Sequence, residues 1–399
     1  MYLNRTIRER SIEIDQAITE AVREILEHIR KEGDSAVREY SEKFDKPFDM
    51  GPEVDQDFIE ILQRAKEQIK EFHRNQIGQA WETRKSNGVI MGQMIRPIRR
   101  VAVYVPGGSA TYPSTVLMNV IPAKLAGVPE IAIFTPQPNH CVLAAAKVCQ
   151  VDNIYQIGGA QAIAAAAYGT ETIPKFDKIV GPGNIYVATA KQLVYGQVDI
   201  DMVAGPSEIL IIADHTANPK YIAADLMSQA EHDELARGIL ITTSAKIIEE
   251  TEWEIDKQIG SLSREKIIRK SLADYGAAIL VDTLEEAFEM ANDIAPEHLE
   301  ILTENPYAQL SKVQNAGSIF LGEHTPEPLG DYMSGSNHVL PTGGTAKFYS
   351  PLGVYDFLKF SSYSYYPRNV LAEFKDDVMK FAKLEGLDAH AKSIEVRFE

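Results

Sequence analysis

The chain has 399 residues, enough for two or three domains with sizeable cores, and its 45% hydrophobic and 24% charged content is that of a globular protein. A formal net charge of −17 excludes the basic footprint that nucleic acid requires, and two cysteines supply neither a disulfide framework nor a four-thiolate zinc site. No stretch approaches the roughly 18 uninterrupted apolar residues of a membrane span, and the charged start MYLNRTIRERSIEIDQ lacks the apolar core of a signal peptide. A soluble, cytoplasmic α/β protein is the expectation.

The first hundred residues read as helical. Ile18, Val22, Ile25 and Ile29 make one apolar stripe at helical spacing, and Val37 and Tyr40 turn inward on a second helix after Gly33. Phe58, Ile61, Leu62, Ala65, Ile69 and Phe72 make a longer third stripe. From RVAVYVPGG onward, short β-branched runs alternate with Ala-rich helical stretches. The runs lie at 101–105, 131–135, 153–157, 178–180, 209–213, 239–243, 278–281, 301–303 and 318–321. Alternation of this kind means βαβ units and mostly parallel sheets, and so many runs exceed one small domain. The expected fold is α/β, with two Rossmann-like lobes, N-terminal helices and a C-terminal helical arm. Residues 1–100 are expected as a helical segment packing on the second lobe, 101–206 as the first lobe, 207–343 as the second, and 344–399 as the arm. Within the arm, KFYSPLGVYDFLKFSSYSYYPRN reads as an aromatic loop, 370–390 as helix and 394–398 as an extended tail. A helical tail after a loop suits an arm that packs on a partner chain.

Three strand ends carry glycine: VPGGSA (105–110), IGGAQA (157–162) and GPGN (181–184). Ligands sit at the carboxyl ends of strands in open parallel sheets, and glycine lets them approach the backbone. None of the three completes the G-x-G-x-x-G fingerprint, so a nucleotide-type ligand and plain turn chemistry both remain open. Gln161 and Asn184 are the polar residues beside these turns.

Uncommon polar residues concentrate in four segments. SQAEHDE (228–234) ends a helical stretch and, with Asp225 upstream, places Asp225, Gln229 and His232 on one face. Taken alone that face is either solvated surface or half of a metal site. APEHLEI (295–301) sets Glu297 beside His298 just before an apolar run, a pair able to position and deprotonate a water, or simply a surface loop. LGDYMSGSNHVLPTGG (329–344) holds Asp331 and His338 in a glycine-rich loop, where both can ligate a metal. EGLDAHAKS (385–393) puts Glu385 and His390 in the arm. Four of the nine histidines fall in these segments, each near a carboxylate. Cys141 and Cys149 read as small buried hydrophobes, so aldehyde chemistry here needs no thiol nucleophile.

In order, YVPGGSA, GGAQAIAA, GPGN, AGPSE, SQAEHD, PEHL, GDYMSGSNHVLPT and EGLDAHAKS resemble the histidinol dehydrogenase family, over residues 13–397. The resemblance implies a zinc-dependent, NAD-linked enzyme with one zinc ion per subunit. It would oxidise L-histidinol through L-histidinal to L-histidine, the four-electron end of histidine biosynthesis. By motif position, Gln229, His232, Asp331 and His390 match zinc ligands, and Glu297 and His298 the acid/base pair. Tyr104, Gln161 and Asn184 match the lining of the NAD site, which places NAD on the first lobe. Ser207, His338 and Glu385 join Gln229, His232, His298, Asp331 and His390 as substrate contacts. The family also implies a homodimer with shared active sites, in which Glu385 and His390 act across the interface. The chain is somewhat short for the family, with the N-terminal segment and the turn after Gly196 trimmed. The residues alone leave open a dehydrogenase of another amino alcohol or polyol, a zinc hydrolase built on Glu297 and His298, and a non-catalytic binding protein.

Overall fold

The computed structural model describes residues 3–7, 16–45, 50–107 and 112–399. These form two compact units, one made of residues 1–76 with 98–357, the other of residues 77–97 with 358–399. In chain order the strands are β1 (Trp81–Arg84), β2 (Ile90–Pro97), β3 (Arg100–Tyr104), β4 (Glu130–Phe134), β5 (Ile154–Tyr155), β6 (Lys178–Val180) and β7 (Asp199–Ile200). They continue with β8 (Glu208–Ala213), β9 (Arg237–Thr242), β10 (Ala277–Leu280), β11 (His298–Leu302), β12 (Ser318–Leu321) and β13 (Leu358–Tyr365).

The first unit holds two five-stranded sheets, ordered β5-β4-β3-β6-β7 and β10-β9-β8-β11-β12. Every neighbouring pair is parallel. In each lobe the first strand sits centrally, the chain winds to one edge, then returns to fill the other. That doubly wound order leaves a switch point between β3 and β6 and another between β8 and β11. The α/β fold expected from the alternating runs is therefore present, twice over.

Helices cover both faces of each sheet, which is why the strands read as continuous apolar runs. All six residues of β8 are buried. Ile209 and Ile211 pack on one face with Leu226 and Ile248, while Leu210 and Ile212 pack on the other with Phe288 and Ile301. In the first lobe, Ala102 and Phe134 face one layer and Val101, Val103 and Ile133 the opposite one.

Three expectations need correction. The N-terminal helices pack on the first lobe, not the second. Val22, Ile25 and Ile29 of the helix Gln16–Glu32 join Ala102, Phe134 and Ile163, as does Tyr40 of Asp34–Phe44. Leu62, Ala65 and Ile69 of the helix Gln56–Arg74 pack on the other face, with Val101 and Leu117. An apolar stripe specifies burial but not which sheet buries it. Within the third stripe, Ile61 and Phe72 are exposed and His73 turns inward instead. Second, residues 77–97 are not helical: β1 and β2 form an antiparallel pair, and β13, inside the expected aromatic loop, pairs antiparallel with β2. Together they are the three-stranded sheet of the second unit. Third, that unit's C-terminal segment is two helices, Arg368–Leu384 and Asp388–Glu395, rather than one helix and an extended tail. The break falls at Gly386, whose φ of 75° lies in the left-handed region. No helix among the described residues is long and apolar enough to cross a membrane.

His73 sets a stability prediction. It is fully buried with Nδ1 2.9 Å from the Ile69 carbonyl, and burial pushes its pKa below the ordinary value. The unfolded chain then binds a proton near pH 6.5 that the folded chain refuses, so stability is complete above that pH and declines as pH falls below it. Urea unfolding between pH 7 and 5 should show this decline. His73→Leu should remove up to about 1.4 kcal/mol per pH unit of it. An unchanged slope would contradict the assignment.

Candidate active site

Three of the four polar segments meet at the amino-terminal edge of the second sheet. His298 opens β11 and pairs in register with Ile209 of β8 and Ser318 of β12. After β8 the chain returns through the helix Pro219–Ala230, which brings Gln229 and then His232 back to the same edge. The helix Glu327–Tyr332 carries Glu327 and Asp331 one turn apart on one face. The following loop is fixed by Asn337, whose amide donates to the Met118 carbonyl at 2.7 Å while its Oδ1 accepts from the Val339 N–H at 2.9 Å. Gly335 (φ 87°) passes so close to the Gln68 carbonyl that a Cβ would lie 2.4 Å from that oxygen.

The backbone of one residue of β8, Glu208, organises the acid/base pair. The Glu208 N–H donates to Glu297 Oε2 at 2.8 Å, and the Glu208 carbonyl lies 2.9 Å from His298 Nδ1. A carbonyl only accepts, so Nδ1 is assigned the proton and Nε2 is left with its lone pair. Nε2 is buried without a hydrogen-bond partner and lies 3.7 Å from Glu327 Oε1. Burial pushes the His298 pKa down to about 4, so the ring is neutral at physiological pH. Burial also raises the Glu297 pKa well above the ordinary value, helped by the negative charges of Glu208, Asp331 and Glu327.

The same dry setting governs the neighbours. Burial raises Glu327 to about 8 and Asp331 to about 6, and these two carboxyls face one another. His338 Nδ1 lies 3.7 Å from Asp331 Oδ1, and burial pushes its pKa down to about 4. His232 touches solvent at the rim, yet the protein crowding it lowers its pKa, with a smaller contribution from His338. Behind the site, Glu300 Oε1 accepts from the Glu327 N–H at 2.9 Å, and the rest of that carboxyl meets Asp225. Burial raises the pKa of both carboxyls, Asp225 to about 6.

This donor set fits a divalent cation. Donor atoms of His298, Glu327 and Asp331 lie within 4.8 Å of one another. Gln229 is buried beside Glu327, and neither of its amide atoms makes a well-formed hydrogen bond. Unsatisfied buried donors and acceptors are costly, and a bound ion would satisfy them. Imidazole, amide and carboxylate without thiolate is a nitrogen–oxygen set suited to zinc and its first-row neighbours. Of the expected ligands, Gln229, His232 and Asp331 gather here with His298 and His338. Glu385 and His390 belong to the second unit, exposed at the end of one helix and in the next. Ser207 is half-buried just ahead of β8, its carbonyl accepting from the Arg237 N–H. Sequence reasoning missed Glu327. Its signal was the four-residue spacing to Asp331, hidden because Pro326, Pro328 and Gly330 read as loop.

The expected NAD residues lie at carboxyl ends of first-lobe strands, around the switch point. Tyr104 ends β3; its hydroxyl accepts from the Gly159 N–H at 3.0 Å, and burial pushes its pKa up to about 12. Gln161 is buried in the first turn of the helix Gly159–Tyr168, its amide directed at Asp45. Asn184 is exposed and caps the helix Ile185–Val194 through Oδ1. Gly181, with φ 105°, lets the turn after β6 lie against β3: a Cβ there would be 2.2 Å from the Tyr104 carbonyl.

Fold and site define an α/β enzyme of two doubly wound lobes with a buried imidazole–carboxylate centre able to hold a metal. The family model for histidinol dehydrogenase matches residues 8–398. The histidinol dehydrogenase of Lactococcus lactis is 57% identical, over 98% of this chain and 95% of its own length. That of Listeria monocytogenes is 53% identical over 100% of this chain and 98% of its own. The crystal structure of histidinol dehydrogenase from Elizabethkingia anophelis superposes with a TM-score of 0.89 at 38% identity, covering 98% of this chain and 94% of that one. The chain belongs to the histidinol dehydrogenase family.

The helix face that carries Gln229 and Asp225 gives a direct test. Gln229→Ala should weaken zinc binding, read by calorimetry, by about tenfold or more, and Asp225→Asn by less. The reverse order would mean that the ligand on this face has been misassigned.

Proposed function

We propose that the protein is a zinc-dependent, NAD-linked dehydrogenase that carries L-histidinol through L-histidinal to L-histidine, at the end of histidine biosynthesis, in the cytoplasm. The observation that carries this reading is His298, a neutral base of fixed tautomer whose bare Nε2 points into a carboxylate cluster on a chain of this family. Gln229, His232 and Asp331 would hold the zinc ion together with the partner subunit's His390. When bound, the ion supplies Lewis-acid polarisation of the substrate hydroxyl and fixes the amino alcohol in place.

The chain's own residues do the proton work. His298 Nε2 takes the hydroxyl proton while the carbinol hydride passes to a first NAD, giving the aldehyde. In the second half, His298, having passed that first proton to solvent, takes a proton from water as its oxygen bonds to the aldehyde carbon. Glu297, which holds its proton because it is buried, hydrogen-bonds the same water and keeps it aligned. The resulting hydrate passes a second hydride to a second NAD and, once its remaining acidic proton goes to solvent, leaves as the carboxylate. Burial of the pair excludes bulk water from the reacting carbon. Ser207, His338 and the partner subunit's Glu385 contact the substrate, and Tyr104, Gln161 and Asn184 line the NAD crevice of the first lobe. The dimer is supported by the exposed apolar stripe Phe374, Val378, Phe381 and Leu384 on the helix Arg368–Leu384.

Purified protein with zinc, NAD and L-histidinol should reduce the cofactor, followed by its absorbance. No reduction at confirmed zinc occupancy would reject the assignment. His298→Asn should lower kcat by about 10²–10⁴-fold. No thiol takes part: Cys149 is buried and its pKa is pushed up to about 12. Alkylation of the accessible thiol at neutral pH should therefore leave turnover unchanged, and loss of activity through modified Cys141 would contradict the thiol-free route.

A further inference from the structure

The helix Glu327–Tyr332 begins without a cap of its own. Its N-cap residue is Pro326, which has no polar side chain, and no side-chain cap bond is made there. The first N–H groups of a helix have no partner inside it and must find one elsewhere. Here the Glu327 N–H finds Glu300, a residue in the middle of β11, at 2.9 Å. Glu300 is 1% exposed and lies two residues beyond His298, on the same face of the strand. The remainder of its carboxyl meets Asp225, one turn before Gln229 on the helix Pro219–Ala230. A weaker tie runs parallel to it, from Ser228 Oγ to Glu327 Oε2 at 3.4 Å. One buried side chain thus joins the strand that bears His298, the helix that bears Glu327 and Asp331, and the helix that leads to Gln229 and His232.

We infer that Glu300 is a positioning residue for the metal centre: by capping the helix of Glu327 and Asp331 from β11, it sets the spacing of the donor atoms. The inference rests on the metal-binding reading given above. Glu300 is not a ligand and touches no substrate. An apolar residue of similar volume would fill its space but leave the Glu327 N–H without a partner in a dry interior. Positions of donor atoms would then be set by packing alone, and outer partners of this kind typically govern metal affinity.

Three proteins test it: wild type, Glu300→Gln and Glu300→Asp. Zinc affinity is measured by calorimetry, the cobalt-loaded proteins by their visible absorption bands, and folding by thermal melting. Glutamine keeps the side-chain length and an acceptor for the Glu327 N–H, so its zinc affinity should stay within about twofold of wild type with unchanged cobalt bands, whereas aspartate, shorter by one methylene, should lose about tenfold and shift the bands. Wild-type affinity and bands in Glu300→Asp would overturn the inference, even with a lowered melting temperature, because that is the signature of a merely structural residue. An equal loss in Glu300→Gln would also overturn it, since charge rather than hydrogen-bond geometry would then be responsible. Should wild type bind neither zinc nor cobalt, the metal reading itself fails and the inference with it.

Discussion

The exclusion of water at the amino edge of the second sheet is the constraint from which the site's chemistry follows. Imidazoles and carboxyls packed there cannot be solvated, so each must find a neighbour, hold or shed a proton, or meet a cation. That is why His298 and His338 are neutral while Glu297, Glu300 and Glu327 hold protons well above the usual carboxyl range. It is also why so many donors point inward unsatisfied. A cation entering such a set gains ligands that the fold has already ordered, and the binding cost that remains is mostly loss of those protons.

The backbone supplies the precision. A single residue of β8, Glu208, fixes Glu297 through its N–H and His298 through its carbonyl, so the acid/base pair is held by a central strand of a parallel sheet. The two lobes meet around this edge, with Asn337 of the second reaching Met118 in the first. In the first lobe a buried ion pair does a comparable task. Lys191 bonds Asp201 and the Gly181 carbonyl (2.9 Å), while Asp201 accepts from the Gly181 N–H at 2.7 Å. The turn after β6 is thereby locked against β3, at the switch point where a dinucleotide would lie. Losing one partner of such a pair would leave an unpaired buried charge at the crevice.

The duplicated strand order explains how one architecture serves two purposes. In the first lobe the carboxyl ends of the strands face the crevice, with glycine turns lying close to the backbone. In the second, the amino ends of β8, β11 and β12 carry the site, because the helices that return from the carboxyl edge deliver their last residues there. Gln229 and His232 owe their place to that return path.

The sequence by itself determined the α/β alternation and the apolar stripes, and it singled out Gln229, His232, Glu297, His298, Asp331 and His338, which the fold brings to one edge. These are local signals: hydrophobic period, glycine at strand ends, and motifs whose order along the chain is distinctive. It could not determine which sheet buries the N-terminal helices, because a stripe matches any apolar face. Nor did it reveal β13, whose partner β2 lies more than 250 residues earlier in the chain. Glu327 stayed hidden for a related reason, since prolines masked a short helix whose first N–H is capped from β11. Asp225 shares a helix face with Gln229 in the sequence, and the fold turns it towards Glu300 rather than into the donor cluster. Tertiary structure decided these points because burial, and with it the protonation and pairing of each group, depends on contacts between segments distant in the chain.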